Sequence, residues 1–267
     1  MNFNKIRRQK FLTEKKYLEE EGAIKYGREL SKKSLESNKP KAPRADSSFR
    51  WHLAYGNLKL LLLYYTAGRP IPELRDQLPD VIEGFDFFMA NKVLPSEMNP
   101  PTNEADTFEI SQLDAYVCVL WLLALCKLLR HDEFVWTVMK WVNRTYKFNR
   151  GRDGLFESVV QKLTGNHVET KPVLFHPVYV PLARATVAAP EERPALVKEF
   201  VESWYKGMKS LAWHGTHSYG GSYYGYWCLE AALVTALWDI DDSSYRDHLV
   251  YPKDLVDWYR AQKNLAG

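Results

Sequence analysis

Apolar residues in this chain recur at helical spacing over most of its length. From Trp51 to Thr66 nearly every face is apolar, and Ala67-Gly68-Arg69-Pro70 closes the run. Glycine there suits a left-handed cap, and proline stops the helix. Leu74, Leu78, Val81, Phe85 and Phe88 follow at spacings of four and three, which places them on one helical stripe, with Pro79 a candidate break. Residues 95–107, with three prolines and several acids, read as a loop. Ser111, with Asp114 three residues on, is expected to cap a buried helix that runs to Leu129. His131-Asp132 connects it to a further helix with Phe134, Val135, Val138, Trp141 and Val142 facing inward. Beyond Asn149-Arg150-Gly151-Arg152-Asp153-Gly154, helices are expected near 155–163, 178–189, 195–211, 223–238 and 252–263. No segment shows sustained period-two alternation between turn signals. The pattern therefore predicts an all-α fold, with two packed helical subdomains and short connections.

The expected organisation is a basic helical extension and linker over 1–45, an N-terminal helical domain over 46–150 and a C-terminal helical domain over 151–267. The polar, glycine-rich stretch at 149–154 marks the internal boundary. In the extension, Tyr17-Leu18-Glu19-Glu20-Glu21 favours helix, and Ser37 to Pro43 breaks it. The longest apolar run, Ala115 to Cys126, has twelve residues. A membrane span needs about twenty, so this run reads as a buried helix. The basic N-terminus leads into no apolar stretch of signal-peptide length, so a cytoplasmic protein is expected.

Charge is uneven. The 36 Lys+Arg and 33 Asp+Glu give a net of +3, too near balance to imply nucleic-acid binding. Residues 1–50 carry +7 and the rest of the chain −4. A basic amphipathic helix of this kind is most often a solvated face. The 9 Trp, 16 Tyr and 12 Phe suit either a dense helical core or a contact surface. Cys118, Cys126 and Cys228 each lie in an apolar run and read as small buried hydrophobes.

Catalytic motifs are not evident. Gly220-Gly221-Ser222-Tyr223-Tyr224 resembles a nucleophile elbow, but Tyr224 stands where that turn needs glycine, and no strand precedes it. His214 and His217 lack a third ligand at metal spacing, and no cofactor or metal site is expected. Asp239, Asp241 and Asp242 follow a helix C-terminus and do not continue as a calcium loop. They read as a solvated turn or as a face for a basic partner. Glu230 sits in an apolar helix and needs a partner such as a tyrosine hydroxyl or an arginine.

Three C-terminal segments carry a resemblance: Tyr224-Gly225-Tyr226-Trp227-Cys228-Leu229-Glu230-Ala231-Ala232, Asp239-Ile240-Asp241-Asp242-Ser243, and Tyr251-Pro252-Lys253-Asp254-Leu255-Val256. Together they resemble the signature of the PoNi-type immunity proteins, which protect bacteria from PoNe-type and related toxins. These toxins are delivered by type VI and other contact-dependent systems. Tyr64-Tyr65-Thr66-Ala67-Gly68-Arg69-Pro70-Ile71 is similar to the family's companion helical domain, with Thr66 where serine is expected. The resemblance leaves the first forty-five residues unexplained.

It implies a non-enzymatic inhibitor of a toxin protein. The expected partner is a DNase with a restriction-endonuclease-like core, met without direct contact to nucleic acid or membrane. A nuclease presents positive charge to phosphate, and a mildly acidic partner matches it. The expected contact residues are Glu230, Asp239, Asp241 and Asp242, with Tyr219, Tyr223 and Tyr224 as aromatic anchors. Two other classes remain in view: a helical adaptor or chaperone holding an effector through the basic N-terminal arm, and an all-α enzyme using Glu230 and His214.

Overall fold

A computed structural model of the chain describes residues 2–37, 43–92, 105–170 and 173–265. Among them all regular structure is helical, which is the expected fold class. The α-helices are α1 (Phe3–Ile6), α2 (Glu14–Glu36), α3 (Pro43–Thr66), α4 (Ile71–Ala90), α5 (Leu113–Leu128), α6 (Val135–Asn143), α7 (Tyr146–Asn149), α8 (Gly154–Thr164), α9 (Val180–Val187), α10 (Arg193–Gly207), α11 (Thr216–Tyr219), α12 (Leu229–Trp238) and α13 (Lys253–Leu265). The expected linker at 37–43, apart from its end residues, and residues 95–104 of the expected loop lie outside the described residues. No described helix is long and apolar enough to cross a membrane.

The chain forms two compact units. The first comprises residues 1–103 with 215–225, and the second 104–214 with 226–267. The turn at 149–154 therefore lies inside the second unit.

In the first unit α3 packs against both α2 and α4. Leu58, Leu61, Leu62 and Leu63 of α3 and Leu74, Leu78 and Phe85 of α4 are buried. α4 runs unbroken through Pro79. The missing N–H forfeits one hydrogen bond, and the burial of Leu78, Ile82 and Phe85 to either side offsets that loss.

The basic N-terminus is built into this unit rather than projecting as an arm. Thr13 caps α2 by accepting from the Lys16 amide at 3.2 Å. Arg8 finishes α3: its amide donates to the Thr66 carbonyl at 2.8 Å, and its guanidinium donates to the carbonyls of Tyr65 at 2.7 Å and Arg69 at 3.0 Å. A cation on carbonyls left over at a helix C-terminus satisfies acceptors and opposes the negative end of the dipole. Gly68, at φ 91°, admits this strand of chain, because a Cβ there would fall 2.0 Å from the Ile6 carbonyl oxygen.

The second unit is organised around α5, whose residues from Ala115 to Cys126 are all buried, and α12 packs along it. α9 pairs with α10, and α13 packs on α12 and α5. Trp121, Trp204, Phe156 and Phe200 are among its largest fully buried side chains. The three cysteines are buried and unpaired. Burial pushes the Cys118 thiol up to about 12, so it is inert as a nucleophile.

Local starts differ from expectation in two places. α5 begins after Gln112 without a side-chain cap, because the Ser111 hydroxyl donates to Glu109 instead, at 3.2 Å. The expected helix over 223–238 begins only at Leu229, and Tyr223 to Cys228 is non-helical. Gly225 there has φ 107°, outside the helical region. The Thr66 hydroxyl, 2.7 Å from the Tyr224 carbonyl and 2.8 Å from that of Leu62, draws the segment onto α3.

Candidate functional site

Glu230 lies in the first turn of α12, where a carboxylate is favourable to the helix dipole. It is 1% exposed. One oxygen accepts from the Tyr179 hydroxyl at 2.8 Å and from Trp204 Nε1 at 3.2 Å, and the other from Trp121 Nε1 at 3.2 Å. Burial raises its pKa to about 7, against the opposing pull of a backbone hydrogen bond and these three donors. All three side-chain donors are neutral, so charge on Glu230 rests on hydrogen bonds. The same burial pushes the Tyr179 hydroxyl well above its usual range. Enclosure by Tyr179, Trp204 and Trp121 gives Glu230 no surface to offer a partner, and it ties α12 to α5 and α10.

Asp242 is also buried, as the knot of the C-terminal turn. Its Oδ1 accepts from Arg260 at 2.8 Å and Arg246 at 3.2 Å, and its Oδ2 from the Tyr251 hydroxyl at 3.1 Å. Arg260 also donates to the Ile240 carbonyl at 2.7 Å. One carboxylate thus joins the turn after α12 to α13, which explains why the acids and the Tyr251-Pro252 segment belong to one motif. Thr235 and Tyr245 extend the knot with hydroxyls 2.9 Å apart.

Asp239 and Asp241 are exposed. Asp239 caps α12 in the left-handed region at φ 51°, which aspartate tolerates better than most residues. Asp241 accepts from the Ser243 amide at 3.1 Å and hydroxyl at 2.8 Å, and these bonds lower its pKa. It is a stable surface anion.

The three tyrosines belong to the first unit and divide in the same way. Tyr223 is buried and donates to Gln9, itself fully buried. Tyr224 is buried, with its hydroxyl 3.1 Å from that of Tyr55. Tyr219 is 65% exposed. Of the seven expected contact residues, Glu230, Asp242, Tyr223 and Tyr224 are thus buried in the packing. Tyr219, Asp239 and Asp241 present side chains to solvent.

The polar stretch at 149–154 holds structure that its composition did not announce. Asn149 is fully buried and donates to the carbonyls of Val142 at 2.7 Å and Phe108 at 2.9 Å, while accepting from the Ile110 amide at 3.0 Å. Asp153 caps α8 and accepts from the Tyr116 hydroxyl at 2.9 Å and the Phe175 amide at 2.8 Å. Arg150 and Glu157 form a two-pronged, mostly buried pair, both bonds at 2.8 Å. Among the described residues no group of three His, Cys, Asp or Glu is placed to hold a metal ion. His214 stacks on Tyr205 with ring centres 4.1 Å apart. His217 packs on Phe11 at 4.5 Å.

Residues 151–255 match the family model described as PoNe immunity proteins (PoNi), C-terminal. The chain is similar in fold to protein PA2201 from Pseudomonas aeruginosa, known from its crystal structure. The TM-score is 0.69 and sequence identity 19%, over 96% of this chain and 92% of that one. No curated protein matches the sequence.

Proposed function

We propose that the chain, whose residues 151–255 match the PoNe immunity protein family model, binds and neutralises a nuclease toxin in the cytoplasm of the cell that makes it. The family match is the observation that carries this reading, and it implies an immunity function against a toxin, exercised by binding rather than turnover. Type VI or related contact-dependent delivery of that toxin, and protection of kin, complete the proposal. Net negative charge over residues 51–267 supports a basic, DNA-gripping partner, since opposite charge speeds encounter. Asp239 and Asp241 are the acids placed to act in this way, with Tyr219 as an aromatic contact.

An adaptor gripping an effector through a basic arm is disfavoured because residues 2–36 contribute α2 and the Arg8 cap to α3. An enzyme built on Glu230 is disfavoured because indole and phenol groups enclose that carboxylate. The test is to mix the purified chain with the toxin encoded beside it and to measure binding and DNA cleavage together. Tight binding with cleavage abolished is expected, and binding that leaves cleavage untouched sinks the inhibitor reading. Asp239→Asn with Asp241→Asn should slow association and weaken its salt dependence, while asparagine keeps the left-handed cap and the acceptor for Ser243.

A further inference from the structure

The first unit contains a cavity of about 530 Å³ between α2, α3 and the 220–222 turn. Its size is that of sites for small organic ligands. Lys59 of α3 lines it, half-buried, with Nζ 5.2 Å from the Tyr55 ring centre and 5.8 Å from that of Tyr224. Aromatic faces attract a cation, but they do not accept its N–H groups as a carboxylate does. Among the described residues no carboxylate lies within ion-pair distance of Lys59.

Glu19 and Glu20 also line the cavity, and each is offset by a lysine: Glu20 pairs with Lys16, itself part of the lining, at 2.8 Å, and Glu19 with Lys15 at 3.8 Å. Glu20 attracts Lys59 only from a distance, and burial prevails, holding the lysine below its usual pKa. A second donor, Arg28 of α2, also lines the cavity, and its Nε is buried with no hydrogen-bond partner. Ala23 and Ile24 add apolar wall. Gly27 leaves the space open, since a Cβ there would meet nothing within 4 Å. A half-buried ammonium backed by rings, a buried donor without an acceptor and an empty volume between them describe a receptor for an anion with a flat or apolar body.

We propose that this cavity binds a small molecule carrying a phosphate or carboxylate group, with Lys59 as its main charge contact and Arg28 as a second donor.

Isothermal titration calorimetry with phenyl phosphate and, separately, benzoate tests it at constant ionic strength. Saturable binding of at least one is expected, and the tighter of the two identifies the anionic group. Lys59→Met should weaken it about tenfold or more, the loss of one charge-assisted contact. Gly27→Leu fills the cavity from a position with room for the side chain. It should abolish binding while leaving the melting temperature of the free protein unchanged or raised. Lys198→Met, on α10 of the second unit, should bind as the parent does. No saturable binding of either probe, or an unchanged Kd in both Lys59→Met and Gly27→Leu, overturns the proposal.

Discussion

Glu230→Gln tests how a buried carboxylate without a cation is tolerated. Its pKa of about 7, against 4.5 for an ordinary glutamate, means that the folded protein holds a proton there which the unfolded chain releases between those values. The group therefore contributes full stability below pH 4.5 and loses it as pH rises through 7. A shift of this size corresponds to about 3 kcal/mol across that window. Glutamine does not titrate, so the difference in unfolding free energy, variant minus parent, should climb by about that amount between pH 4.5 and 8. At the acid end the variant is expected to be no more stable than the parent, since one amide carbonyl cannot accept from Tyr179, Trp204 and Trp121 together. Urea titrations followed by tryptophan fluorescence report the right region, because every tryptophan except Trp51 lies in the second unit. Taking the difference cancels the titration of all other groups. A difference that stays flat with pH refutes the reasoning, and it shows either an ordinary pKa or a site open to water.

Asp242→Asn keeps the shape of the C-terminal knot but removes the charge between Arg246 and Arg260. It should cost about 2 kcal/mol in urea unfolding, moderated because both arginines are partly exposed. Thr66→Val removes the hydroxyl that reaches the Tyr224 carbonyl, and a loss of about 1–2 kcal/mol is expected, whereas Thr66→Ser should stay near the parent. Deleting residues 2–36 removes α2 and the Arg8 cap from α3. Limited proteolysis should then cut within residues 43–90, and an undisturbed protease pattern would show that the N-terminus is dispensable after all.

Helices were legible in the sequence where one face is apolar and the ends are marked. The 74–88 stripe and the 51–66 run both sit inside observed helices, and Gly68 falls at the turn that ends α3. Burial of polar groups was not legible. Asp239, Asp241 and Asp242 are chemically alike and adjacent, yet only Asp242 meets Arg246, Arg260 and Tyr251, and two of these lie nine and eighteen residues further on. Asn149 and Asp153 stand in the polar stretch read as an internal boundary, yet each completes hydrogen bonds for distant backbone. The non-helical course of Tyr223 to Cys228 was hidden because its aromatic pattern also suits a helix. What decides it is Thr66, 158 residues upstream. For Glu230 the sequence supplied the need for a partner, and the fold supplied a tyrosine and two indoles.

The first unit borrows residues 215–225 from a point in the chain more than a hundred residues beyond α4. A ribosome adds about 5–20 residues per second, so α2, α3 and α4 emerge and wait for roughly six to twenty-seven seconds before the segment that covers Gln9 and engages Thr66 exists. During that interval the second unit is also unfinished, since α12 and α13 come later still. The first unit therefore cannot be completed before residues 215–225 have been made, nor the second before the helices that follow them. A premature stop anywhere before Gly225 leaves both halves incomplete rather than releasing one working half.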